Sequence, residues 1–116
     1  MIKGYTDINQ SKKLAEILPL ESADMCYLSE ESLIPKVIYN GMAFFDSNEE
    51  RPTNIIPCWS LAALLGVLPK ETKLLKSATD DTYHCDCPKG NVDKWYDNPI
   101  DACVEMIIKL HKLDLL

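Results

Sequence analysis

Residues Asn98–Leu113 read as an amphipathic α-helix whose apolar side is unusually wide, and any fold for this chain has to cover that side. Asn98 is a good N-cap and Pro99 suits the first helical position. Asp101 stands three residues after the cap, where a negative charge meets the positive end of the helix dipole. Asp101, Glu105, Lys109 and Lys112 recur at spacings of four, four and three and form one polar stripe, with Glu105 and Lys109 in the favourable i,i+4 order. Ile100, Cys103, Val104, Met106, Ile107, Ile108, Leu110 and Leu113 occupy the remaining surface. That much apolar face suits a helix laid on a sheet and flanked by a second helix.

Two more helices are predicted. The first spans Asp7–Leu18: Asp7 caps it, Gln10 completes a capping-box pattern, Ile8, Leu14, Ala15, Ile17 and Leu18 form its apolar stripe, and Pro19 stops it. The second spans about Pro57–Leu68, with Pro57 in its first turn, Pro69 beyond its end and Ser60 as its one polar side chain. Being apolar almost all round, it is expected to be the central buried helix. At 12 residues it is the longest apolar run, against the roughly 20 that a membrane span needs.

Between the helices the chain reads as short strands. Asp24–Ser29 is one, and Glu30–Pro35 is a connection. In Lys36–Asp46, Val37-Ile38-Tyr39 and Met42-Ala43-Phe44-Phe45 flank Asn40-Gly41, a pair suited to the positive φ values of a type I′ turn, which predicts a β-hairpin. Ser47–Thr53 is an exposed loop. Thr72–Lys76 and Asp81–Cys87 are strands around a turn at Ser77–Asp80. Pro88–Asn91 is a second turn, and Lys94–Tyr96 a short third strand. Short strands joined by tight turns pair antiparallel. The expected fold is one α+β domain over residues 1–116, a small antiparallel sheet with three helices packed on it.

Composition removes several function classes. Twelve Lys and Arg residues against eighteen Asp and Glu give a net charge of −6, and Arg51 is the one arginine. Such a chain is poorly equipped to neutralise phosphates, so no nucleic-acid partner is expected. Met1–Lys3 leads into a polar stretch without the basic start and apolar run of a signal peptide, so a cytoplasmic location without membrane attachment is expected. The five cysteines, Cys26, Cys58, Cys85, Cys87 and Cys103, are an odd number and are expected as free thiols, several of them buried as small hydrophobes.

The sharpest chemical constellation is His84-Cys85-Asp86-Cys87-Pro88. Thiolates and imidazole are good zinc ligands, but structural zinc favours two to four residues between paired cysteines and here there is one. On a strand Cys85 and Cys87 point to one face and His84 to the other. The alternative is a half-buried strand with small apolar residues on one face. The same pair would be redox-active only with a lowered thiol pKa, and Asp80, Asp81 and Asp86 would raise it. His111, near the end of the last helix, reads as a boundary residue. There is no Gly-rich phosphate loop and no Ser-His-Asp signature, and Glu30-Glu31, Glu49-Glu50 and Asp80-Asp81 read as solvated loop charges. No enzyme activity and no cofactor are expected. Tyr39, Phe44, Phe45, Trp95 and Tyr96 are the candidate interaction surface: Trp95-Tyr96 stands just before the last helix, and on the hairpin alternation puts Tyr39 and Ile38 on opposite faces, and Phe44 and Phe45 likewise, so one of each pair is outside unless something covers it.

The segments TDINQSKKLAEILPLESADM, IPCWSLAALLGVLP and WYDNPIDACVEMIIKLHKL resemble parts of a family of small uncharacterised proteins from phage-like and mobile-element regions of Bacteroides-type gut bacteria. The resemblance covers about two-thirds of the chain and brings no catalytic residue with it. It implies an accessory protein of a phage or integrated element, working by association with a protein partner or with itself. A zinc- or thiol-dependent protein using Cys85 and Cys87 is the alternative.

Overall fold

The computed structural model describes residues 3–37 and 55–116. The Asn40-Gly41 turn and the Met42–Phe45 strand lie outside the described residues, as do Tyr39, Phe44, Phe45 and Arg51. The described elements are α1 (Ile8–Ala15), β1 (Met25–Tyr27), β2 (Lys36–Val37), β3 (Ile56–Cys58), α2 (Leu61–Val67), β4 (Lys73–Lys76), β5 (Tyr83–Asp86) and α3 (Pro99–Lys112), with one 3₁₀ turn at Leu20–Ser22 after α1.

The local signals at α1 and α3 act as read. The Asp7 carboxylate accepts from Gln10 N at 2.7 Å, while Asp7 N donates to Gln10 Oε1 at 3.1 Å, a complete capping box. At α3, Asn98 Oδ1 accepts from Asp101 N at 2.9 Å and Pro99 opens the first turn. Asp114, at φ 60°, ends α3 in the left-handed region, and Leu115 N donates back to Leu110 O at 2.9 Å.

Among the described residues all strand pairs are antiparallel, and they build two small sheets where one was expected. One sheet has the order β2-β1-β3, and the other is the β4-β5 pair. The fold is α+β. Nine of the fourteen residues of α3 are buried, so α3 is the centre of the main core. Against it pack the inward side of β5 (Tyr83, Cys85), Leu64 of α2 and Leu68 just after it, Leu14 of α1 and Leu18 beyond its end, and Trp59. A smaller cluster of Tyr27, Ile56 and Cys58 joins β1 and β3, with Ile8 of α1 lying over it. The turn after β5 also leans on α3: a Cβ added at Gly90 would come 2.7 Å from Leu110 Cδ2, so the absence of a side chain lets the backbone approach.

The central helix is corrected in both extent and depth. Pro57 is not its first turn but the middle of β3, opposite Cys26. Ser60 is not an interior polar residue but the N-cap, its Oγ accepting from Ala63 N at 3.2 Å. Asp24 fixes that cap by accepting from both Ser60 N and Ser60 Oγ. α2 is therefore two turns long, and only Leu64 within it is buried; Ala62, Leu65 and Gly66 face out. α3 and Trp59 already fill the centre, so α2 covers one side.

Thr6 stitches α1 to β3. Its hydroxyl accepts from Trp59 N at 3.1 Å and lies 2.7 Å from Ser11 Oγ, while its carbonyl accepts from Tyr27 OH at 2.7 Å and Cys58 Sγ at 3.4 Å. A polar clasp joins the first and last helices. Lys3 Nζ lies 3.1 Å from Asp7 Oδ2 and 3.3 Å from Asp101 Oδ1, and Gln10 Nε2 donates to Asp101 Oδ1 at 2.7 Å.

Partial burial works to raise the Asp101 carboxyl, but hydrogen bonds from Gln10 and Asn98 and the Lys3 ammonium outweigh it and hold the group below its ordinary value of 3.8. A depressed folded pKa contributes stability that is present above the unfolded value and is lost as pH falls through the folded one. Stability is therefore expected to fall below about pH 4, with a shallower fall in Asp101→Asn, measured by urea midpoints from pH 2 to 7. With its side chain 35% exposed, the carboxyl is screened, and its contribution at pH 7 is at most about 1 kcal/mol.

Candidate functional site

β4 and β5 pair Leu74 with Cys85 and Leu75 with His84. Alternation sends Leu74, Tyr83 and Cys85 towards α3 and leaves Lys73, Leu75, His84 and Asp86 on the other side. A third segment extends this outer side. Tyr83 and Tyr96 exchange backbone hydrogen bonds at 2.7 and 2.8 Å, an isolated antiparallel bridge where a third strand was expected. The bridge turns the half-buried Tyr96 ring towards the core, and it swings its neighbour Trp95 outward.

Trp95 stacks on His84 with ring centroids 5.2 Å apart and 27° between planes. His84 Nδ1 lies 3.0 Å from Lys94 O, and since a carbonyl only accepts, Nδ1 carries the hydrogen of this bond. Trp95 is 44% exposed and Leu75 40% exposed, so the pair forms an apolar platform with His84 between them. On the opposite side of these strands, the Lys94 ammonium sits 5.1 Å from the Tyr96 centroid and the Lys76 ammonium 5.9 Å from that of Tyr83. Of the five aromatic residues read as an interaction surface, Trp95 is on this face and Tyr96 is the half-buried residue that orients it.

The cysteines take a different arrangement from the Cys85/Cys87 pair considered above. All five are buried free thiols. Cys85 and Cys87 share the inward face, as alternation requires, and His84 is on the other. Among the described residues no three His, Cys, Asp or Glu side chains are placed to hold one metal ion. Cys85 of β5 and Cys103 of α3 are both buried in the main core. The neighbouring Cys103 side chain lowers the Cys85 thiol pKa, while burial and the Asp86 charge act to raise it, Asp86 in the direction expected of it. Cys58 and Cys26 are raised, chiefly by burial.

A groove of about 380 Å³ runs between the end of α1, the end of α2 and the last turn of α3. Ile17, Leu18 and Val67 form its walls, and His111 is the one titratable side chain on its rim. The Ser22 hydroxyl beside it donates to Pro19 O at 2.6 Å and accepts from Trp59 Nε1 at 3.0 Å. The groove therefore offers apolar contact without converging acid–base groups. No helix among the described residues is long and apolar enough to cross a membrane. Compared with protein-family models, curated proteins and solved structures, the chain matches none.

Proposed function

We propose that this chain is a non-catalytic accessory protein that acts in the cytoplasm by binding a protein partner, or a second copy of itself, through the Leu75–His84–Trp95 platform. The observation that carries this reading is Trp95, a large aromatic side chain 44% exposed yet held in place by the His84 stack and the Tyr83–Tyr96 bridge. A pre-ordered aromatic residue loses little side-chain entropy on association, and tryptophan is enriched among residues that dominate binding energy. The net charge of −6 disfavours a nucleic-acid partner. The wording shared with phage-like and mobile-element proteins supplies the setting, an accessory role in a phage or integrated element.

The test compares the protein with its Trp95→Ala/Leu75→Ser double variant. Light scattering after size exclusion reads self-association, and capture from host lysate reads a partner. The expected result is an oligomer, or one stoichiometric partner, bound at least about thirtyfold more weakly by the variant, which corresponds to the 2 kcal/mol of a dominant contact. The variant keeps its circular dichroism and loses less than about 1 kcal/mol of stability, since both side chains are half-exposed. A monomer that captures the same proteins with and without the two side chains overturns the reading.

A further inference from the structure

We propose that β4 pairs edge to edge with β4 of a second copy of this chain, antiparallel and in a register centred on Leu75. The main-chain hydrogen bonds fix which groups of β4 are open. Tyr83 turns its N–H and C=O away from β4 to Tyr96, and Ser77 N donates to Thr82 O at 2.9 Å, so the facing residues Lys76 and Tyr83 are a non-hydrogen-bonded pair. Alternation makes Leu75 and His84 the hydrogen-bonded pair and points the N–H and C=O of Leu74 and Lys76 to the outer edge. Among the described residues nothing hydrogen-bonds those groups. The strand also lacks the proline and the bulge with which exposed edges are commonly blunted.

The strand itself selects both occupant and register. In an antiparallel pairing about a two-fold axis, outward-facing residues meet outward-facing residues. With the axis at Leu75, Leu74 meets Lys76 of the second copy and Lys76 meets its Leu74, each pair exchanging both main-chain hydrogen bonds. With the axis at Leu74, Lys76 instead meets Thr72, whose N–H already donates to Pro69 O at 3.3 Å. With the axis at Lys76, two ammonium groups stand directly opposite, which is destabilising. The Leu75 register avoids both faults. Lys73, which already faces Asp86 across its own ladder, falls opposite Ser77 of the second copy. Lysines at both ends of β4 reject a strand with basic residues at the facing positions and accept leucine and serine, which β4 supplies. The same axis sets the two Leu75 side chains, each 40% exposed, against each other where Cα atoms approach to about 4.5 Å. Two marginal two-stranded sheets become one of four strands.

Sedimentation of the full chain is expected to show a monomer–dimer equilibrium with a dissociation constant of about 10–100 µM, the range of a small transient contact. Lys76→Pro removes an outward N–H and leaves the β4-β5 ladder whole, so it is expected to keep the circular dichroism and to weaken association at least about tenfold. Leu75→Cys is expected to give a covalent dimer on air oxidation that reductant reverses, because the axis brings its Cα atoms within disulfide range. Lys73→Cys, opposite Ser77, is expected to give none, and this comparison decides should the proline variant fail to fold. Trp95→Ala removes the platform and is expected to leave the dimer intact, so this pairing and the platform reading fail separately. A chain that stays monomeric up to about 500 µM, well above that range, overturns the proposal. So does a dimer indifferent to Lys76→Pro, a cross-link at Lys73→Cys but not at Leu75→Cys, or a strand of another protein seated on β4 in place of the second copy.

Discussion

Replacing Trp59 with alanine is expected to destabilise the protein by about 3–5 kcal/mol, a third or more of the stability of a domain of this kind. Trp59 is fully buried where β3 passes into α2, and its indole fills space that α1, α2 and α3 all border. Its removal leaves a cavity that three separate elements would have to move to close. It also strips the Ser22 hydroxyl of its Nε1 donor at 3.0 Å. Trp59→Phe keeps most of the ring and loses mainly that hydrogen bond, so it is expected to cost about 1–2 kcal/mol. Urea unfolding followed by far-ultraviolet circular dichroism measures both. A Trp59→Ala loss below about 1 kcal/mol would be incompatible with the packing described.

The second large effect separates the two apolar helices. Ile107→Ala, at a fully buried position of α3, is expected to cost about 2–5 kcal/mol. Leu65→Ala, on the open side of α2 at 37% exposure, is expected to cost less than about 1 kcal/mol. The reverse ranking would restore α2 as the central helix. The comparison matters because both segments look equally apolar in the sequence, and only the fold decides which of them is surrounded.

That difference also explains which parts of the fold could be read in advance. α1 and α3 carry their instructions locally: the Asp7–Gln10 box and the Asn98-Pro99-Asp101 start are made by residues within one turn of each other. The α2 region has no such closure. Ile56–Leu68 is an apolar run interrupted by Ser60 alone, which has neither the period of a strand nor that of a helix, so β3 and α2 merge into one element on reading. The residue that separates them, Ser60, is held by Asp24 from thirty-six positions away. The division into two sheets is likewise set by what α3 covers and not by strand propensity. At the platform, the sequence marked Trp95 and Tyr96 together as aromatic residues ahead of α3, and the structure adds which of them faces out.

The position of α3 also bears on how the chain is made. It is the last of the described elements to leave the ribosome, and it carries half of the buried residues of the main core. Until it emerges, Leu14, Leu64 and Cys85 have no surface to pack on, and the clasp from Lys3 and Gln10 has no Asp101 to close upon. The main core is therefore completed only when α3 joins the elements that precede it in the chain.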